Sequence, residues 1–324
     1  MPPLAPPDPW AWRPAAPSRL EKPVLLLRLQ GPDSRRFLHG QTSQDLALAP
    51  PGAWRRTCCL TPTARLRALA EVLVEGDGAW LVITAGDGAA VRQAFDRVLF
   101  PADAVQLGAL QPGLWVEDPE VPIPQAGGRW ESLGEGAGWC LEGGAAVLPA
   151  GAPLPAALAE RPLLAAAEAE RLRIARGEPA APAELNEEFN PFELGLAARV
   201  SLSKGCYLGQ ETLARLATYD GVKQQLRRWH LPAGEGNAPE PGAGLVQGEG
   251  ARAGQVTTVL ALPEGGWMGL ALVRRAALAE PRLATAAGAW LTLSQPDGVQ
   301  APPVGPGGRQ GGEGGEGGSS RAAG

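Results

Sequence analysis

Residues 200 to 215 read Val-Ser-Leu-Ser-Lys-Gly-Cys-Tyr-Leu-Gly-Gln-Glu-Thr-Leu-Ala-Arg. This run constrains the fold more than any other, because it asks for an extended entry, a glycine-punctuated turn and a helix start in quick succession. Val200 and Leu202 alternate with Ser201 and Ser203, the pattern of a short half-buried strand. Gly205 permits a positive φ or a close backbone approach. Leu208 to Ala217 is built from good helix formers, with Leu208, Thr212, Arg215 and Leu216 at helical spacing. Cys206 is therefore expected near the amino end of a helix, where unpaired N–H groups favour an anion. Lys204 stands beside it, and both influences lower a thiol pKa. The same residues also describe a buried structural cysteine in a tight turn.

Other blocks accompany this run in order. Gly31, Asp33, Phe37, Leu38, Gly40, Gln41, Thr42 and Asp45 form the first, and Glu170, Arg173, Ile174, Gly177 and Pro179 the second. Asn-Pro-Phe-Glu-Leu-Gly-Leu occupies residues 190 to 196, and Gly254 to Thr258 and Gly269 to Arg274 close the series. With Lys204-Gly205-Cys206-Tyr207-Leu208-Gly209-Gln210-Glu211, these blocks resemble the YgfZ family, folate-binding proteins related to the aminomethyltransferase (T-protein) of glycine cleavage. The resemblance covers roughly residues 23 to 295. It implies an α+β fold of two interlocked α+β folate-binding lobes followed by a C-terminal β-barrel-like domain (GcvT-like). One departure stands out. Many relatives carry a glycine and a basic residue after a Thr-Pro near the end of the second strand. Here Thr61-Pro62 is followed by Thr63-Ala64-Arg65, so a basic residue is in place but the glycine is absent.

The organisation expected is a proline-rich irregular lead over 1–22, a folate-binding module over 23–220, a β-barrel domain over 221–300 and a disordered glycine-rich tail over 301–324. Strands are expected at Val24–Leu29, Trp54–Leu60, Ala68–Glu75 and Ala79–Thr84, the last two joined by a Gly76-Asp77-Gly78 turn. Val105–Leu107 reads as a short strand, and Trp115, Trp130 and Trp139 as anchors of others. Helices are expected at Asp33–His39, Gly88–Leu99 and Pro155–Arg176, the longest, which stops at Gly177. Glu178–Glu193 is a loop by composition. Gln225–Leu231, Gln255–Leu262 and Trp267–Val273 read as barrel strands after the Asp220-Gly221 turn.

Composition narrows the function classes. The 29 basic residues against 34 acidic ones leave a net charge of −5, which is not the basic footprint of a nucleic-acid binder. Four cysteines, at 58, 59, 140 and 206, without a C-x-x-C pair and with only His39 and His230 as histidines, supply no self-contained metal or cluster site. Adjacent Cys58 and Cys59 on a strand point to opposite faces and read as structural. No secretory leader and no long uninterrupted apolar run is apparent, so a cytoplasmic protein that neither spans a membrane nor binds nucleic acid is expected.

The candidate functional thiol is Cys206, with Lys204 tuning it or meeting folate carboxylates. In T-proteins the matching glutamate of the P-x-E motif binds the pterin, so the resemblance implies Glu193 as a tetrahydrofolate ligand. The chemistry suits this, since a carboxylate accepts paired N–H bonds from a 2-amino-pyrimidinone edge. Tyr207 is a candidate to pack on a flat ring, and Arg173 to shape the pocket or to pair with Glu170 one helical turn away. The resemblance implies an accessory factor that binds tetrahydrofolate and helps assemble or repair iron–sulfur clusters in client proteins, more than a turnover enzyme. The alternative is a glycine-cleavage aminomethyltransferase. Against it, Thr84 stands where those enzymes carry asparagine, and only Asp87 lies near the place of their catalytic aspartate. A thiol hydrolase would need a histidine base near Cys206, and neither histidine is close in sequence.

Overall fold

Apolar residues in the first half of the chain do not simply alternate. Leu66–Val74 is apolar at nearly every position, which is how a strand reads when both of its faces are covered. A computed structural model, which describes residues 8–248 and 250–304, shows what covers them. In chain order come β1 (Leu20–Gln30), α1 (Ser34–Gln41), β2 (Ala53–Leu60), β3 (Leu66–Val74), β4 (Gly78–Gly86), α2 (Gly88–Val98) and β5 (Gln106–Glu117). Next are β6 (Gly127–Ser132), β7 (Trp139–Leu141) and β8 (Ala146–Pro149). These strands close into one barrel in the order β1-β4-β3-β2-β6-β7-β8-β5, with β5 pairing back onto β1.

One apolar cluster contains Val24, Leu26, Trp54, Leu73, Trp115 and Val147. A second, with Leu27, Leu29, Val72 and Leu81, packs under Leu38 of α1 and Val91 and Phe95 of α2. Successive strand residues divide between clusters as the pleat requires. Cys58 belongs to one and Cys59 to another, and burial raises their thiols to about 11 and about 12.

The segment expected as one long helix is two: α3 (Ala156–Ala159) and α4 (Ala166–Arg176). The break has one local cause and one distant one. Pro162 has no N–H to donate, and the chain around it pairs with Arg19 instead: Arg19 N donates to Pro162 O at 2.9 Å and Leu164 N to Arg19 O at 2.9 Å. Gly177 ends α4 with φ 69°. An irregular segment and α5 (Gln210–Thr218) lead to the second barrel. That barrel comprises β9 (Gln224–Leu231), β10 (Gly244–Gln247), β11 (Ala251–Ala261), β12 (Trp267–Arg274), β13 (Arg282–Thr285) and β14 (Trp290–Ser294), closed in the order β10-β11-β12-β9-β14-β13. Its interior is built from Trp229, Leu231, Val256, Val273 and Leu291.

A further buried cluster joins the two barrels. Cys58, Leu60 and Leu66 of the first meet Phe192, Leu194 and Tyr207 of the connecting segment, Leu213 of α5, and Leu226, Leu270 and Leu272 of the second. The expected C-terminal barrel is thus present, and the strands of residues 20–149 form a single closed sheet flanked by helices. The lead is not irregular throughout, since β1 begins at Leu20. Residues 1–7 of the lead and 305–324 of the expected tail lie outside the described residues. No helix among the described residues is long and apolar enough to cross a membrane.

Candidate functional site

The loop carrying Cys206 is held from below by Lys204. Its Nζ donates to the carbonyl oxygens of Thr42 at 2.7 Å and Gln44 at 2.8 Å, and to that of His39. It also lies 4.4 Å from the centroid of the Tyr207 ring. These carbonyls terminate α1 and begin the following loop, where the last helical C=O groups have no intrahelical partner. Lys204 is buried, and burial pushes its ammonium down to about 7 against the pull of Asp45. The lysine expected to tune the thiol is committed to joining the Cys206 loop to α1.

The local structure also departs from a strand followed directly by a helix. The strand expected over Val200–Ser203 does not form: a 3₁₀ turn at Ala197–Arg199 leads into an irregular stretch, in which Ser201 N donates to Ser43 O at 2.9 Å. The helix starts at Gln210, not beside Cys206, because Gly209 takes φ 83° and turns the chain first. Glycine is required there: a Cβ would stand 3.0 Å from both Ala64 Cα and Thr61 O. Ala64 itself adopts φ 60°, left-handed backbone at the place where the family-like glycine is missing. Cys206 is exposed and unbridged, on a loop that also donates from Leu208 N to Gly40 O at 3.1 Å.

Folding brings His39 next to this loop, a neighbour that sequence distance conceals. A methyl group on Gly205 would come within 3.9 Å of His39 Nε2. His39 Nδ1 accepts from Leu46 N and Ala47 N, each at 3.2 Å, and lies 3.3 Å from Asp45 Oδ1. Burial and the Lys204 charge lower its pKa, with Asp45 opposing. With Nδ1 accepting from these N–H groups, the neutral ring's proton is on Nε2, the nitrogen nearer the cysteine loop; with Nδ1–H given to Asp45, Nε2 carries the free lone pair.

Glu193 sits across the shared core. Asn190 organises its turn: Asn190 Oδ1 accepts from Phe192 N at 3.0 Å and Glu193 N at 3.1 Å, and Asn190 N donates to Glu193 Oε2 at 3.0 Å. Leu226 N of β9 donates to Glu193 O at 2.8 Å, fixing the segment to the second barrel. Burial pushes the Glu193 carboxyl up, while the Asn190 N–H and Arg65, 3.7 Å away, hold it back. Tyr207 lies in the same buried cluster as Phe192, and its hydroxyl has no hydrogen-bond partner among the described residues. An orphaned buried hydroxyl is costly and calls for a partner.

Arg173 lies apart from these groups. Its guanidinium donates twice to Glu170, at 2.8 Å each, to Thr258 Oγ1 at 3.1 Å and to Glu178 O, and it stands 3.5 Å from the buried Glu184. It ties α4 to the following loop and to β11. A second interior network escaped sequence reading altogether. Glu71 accepts from Trp54 Nε1 at 2.8 Å and pairs with Arg199 at 3.1 Å and Arg56 at 3.4 Å, all within the first barrel's polar interior. No periodicity signals it, because its members are scattered over β2, β3 and the connecting segment. No group of three or more His, Cys, Asp or Glu among the described residues is placed to hold a metal ion.

No family model matches the chain. It is 30% identical over 279 residues to an Arabidopsis thaliana protein named "Putative transferase", chloroplastic, covering 78% of this chain and 63% of that protein. The chain therefore spans less than two thirds of that relative's length. A solved structure, the glycine cleavage system aminomethyltransferase T from Bartonella henselae, superposes with a TM-score of 0.67 at 20% identity, covering 89% of this chain and 86% of that one. The chain has that aminomethyltransferase's fold, with mixed helices and sheets and two closed barrels.

Proposed function

We propose that this chain is a YgfZ-type protein: it binds tetrahydrofolate at the junction of its barrels and presents Cys206 to iron–sulfur assembly or client proteins. One observation carries the reading. The core joining the barrels holds an orphaned Tyr207 hydroxyl, and the turn bearing the buried Glu193 carboxylate packs into the same core through Phe192. Such groups fit a flat heterocycle rich in N–H donors and acceptors. Glu193 would hold the pterin edge, with Tyr207 beside it. Tetrahydrofolate, when bound, supplies a one-carbon carrier and a reductant. The chain's own residues bind and orient it.

Cys206 is exposed while the folate candidates are buried, so the thiol faces what arrives from outside. A cluster or sulfur atom handled there needs further ligands from a partner, since the chain does not gather them among its described residues. Lys204 and His39 keep the loop in place against α1. Arg173 contributes through the scaffold around Glu170 and Glu184. Aminomethyl transfer has less support from the site. Asp87 caps α2, its Oδ1 accepting from Ala90 N at 2.9 Å, and Thr84 Oγ1 donates to Leu69 O at 3.3 Å.

The test is a tetrahydrofolate titration of the wild type, Glu193→Gln and Cys206→Ala. Glu193→Gln should bind at least tenfold more weakly, a loss of about 1.4 kcal/mol, and Cys206→Ala should bind like the wild type. Cys206→Ala should then fail to support an iron–sulfur client in depleted cells. Equal folate affinity for Glu193→Gln removes the carboxylate contact, and full rescue by Cys206→Ala removes the thiol from the mechanism.

A further inference from the structure

The mouth of the second barrel holds a buried cation that the folate reading does not use. Arg227 of β9 follows the same strand face as Trp229 and Leu231, so its side chain lies over the barrel's apolar interior. Pairing between β14 and β9 ends at Ser294–Arg228, so the seam opens beside Arg227. A cavity of about 240 Å³ occupies that opening, and Arg227 lines it. Two guanidinium donors go to protein acceptors, Leu226 O at 2.9 Å and Gln225 Oε1 at 3.2 Å. The side chain has five donors in all. Among the described residues it forms no ion pair, unlike the other buried arginines Arg171, Arg199 and Arg228, which all have carboxylate partners. A buried charge without a counter-charge is costly. Burial accordingly disfavours this one, with no opposing charge.

We propose that this cavity binds a small monocarboxylate with a short apolar tail, its carboxylate taken by Arg227. A planar carboxylate matches the guanidinium fork and supplies the missing counter-charge. Val273, Leu278 and Leu293 provide an apolar wall for the tail, and Ser294 a further polar group. Glu280 also lines the cavity, its Oε1 accepting from Gln247 Nε2 at 2.7 Å. That negative charge disfavours phosphate and other dianions. The volume equals that of about eight waters at ~30 Å³ each, room for a four-carbon acid. The cavity shares no lining residue with the Glu193 and Cys206 region.

The experiment is an NMR titration of the intact, isotope-labelled chain with sodium butyrate, neutral butyramide and inorganic phosphate at constant ionic strength. Butyrate should shift the Arg227 side-chain signal and amides of β9, the 275–281 turn and β14 in a saturable manner. Butyramide and phosphate should leave them in place. No saturable shift by about 50 mM, where a Kd of about 1 mM would be saturated, overturns the site. Equal response to butyramide overturns the role of charge, and equal response to phosphate overturns the ligand class. Arg227→Gln should abolish the butyrate response, and a retained response refutes Arg227 as the receptor. If that variant does not fold, the butyrate and butyramide comparison on the unsubstituted chain still decides.

Discussion

Replacing Lys204 by methionine keeps most of the side chain's length and apolar volume and removes the ammonium. The group lost donates to three carbonyl oxygens, those of His39, Thr42 and Gln44. Thr42 is fully buried, so its carbonyl is left without solvent and costs about 2 kcal/mol. His39 and Gln44 are half-buried and water can reach them, adding about 0.5 kcal/mol each. Methionine avoids burial of a charge, which offsets this loss wherever the folded lysine is still protonated. The pH dependence gives a sharper signature. Burial brings the folded-state value from 10.5 to about 7. Between those values the unfolded chain keeps the proton and the folded chain has shed it. Stability contributed by Lys204 therefore rises with pH through this window, by at most about 1.4 kcal/mol per unit. The penalty of Lys204→Met should be smallest at pH 6 and grow toward pH 9, up to the about 3 kcal/mol that the three carbonyl contacts are worth. Urea unfolding followed by tryptophan fluorescence at pH 6, 7, 8 and 9 measures it. A loss below about 1 kcal/mol at every pH, or one independent of pH, refutes the carbonyl-bound, buried amine.

Three further substitutions probe the scaffold. Gly209→Ala should cost about 2–4 kcal/mol, from left-handed strain at φ 83° and the 3.0 Å approach to Ala64 and Thr61; a urea midpoint close to wild type would contradict it. Although burial raises Glu178, Lys22 at 2.7 Å and Arg176 outweigh it and hold the carboxyl down to about 2. The stability this gives is present above the ordinary value of 4.5 and is lost as pH falls from there toward about 2. Lys22→Met should thus be less stable than wild type at neutral pH, with the gap closing on acidification; a gap constant from pH 6 to pH 2 would exclude the pairing. Arg199→Met leaves the buried Glu71 with Arg56 as its one charged partner beside the Trp54 N–H and should cost about 3 kcal/mol in thermal or urea unfolding; a change under about 1 kcal/mol would show the ion pair to be dispensable.

Residue pattern alone dictated what is local and periodic. The strands expected at 54–60, 68–75, 79–84 and 267–273 and the helix expected at 88–99 lie within two residues of those formed, and they, the glycine stop at Gly177 and the opposite faces of Cys58 and Cys59 follow from patterns within one element. The glycine-punctuated turn before a helix, read from Lys204–Glu211, is present, with the helix beginning at Gln210. Contacts across the chain decided the rest. The break at Pro162 depends on pairing with Arg19, and the delayed start of α5 on Gly209 turning against Ala64. Lys204 is a charge beside a thiol in one dimension and a buried anchor for three carbonyls in three, because residues 39–44 come to lie beneath it. His39 reaches the cysteine loop, and Arg227 comes to line a cavity with no carboxylate partner among the described residues, for the same reason. Propensity and spacing act over a few residues, whereas burial, charge compensation and the fate of each donor depend on neighbours that only barrel closure brings together.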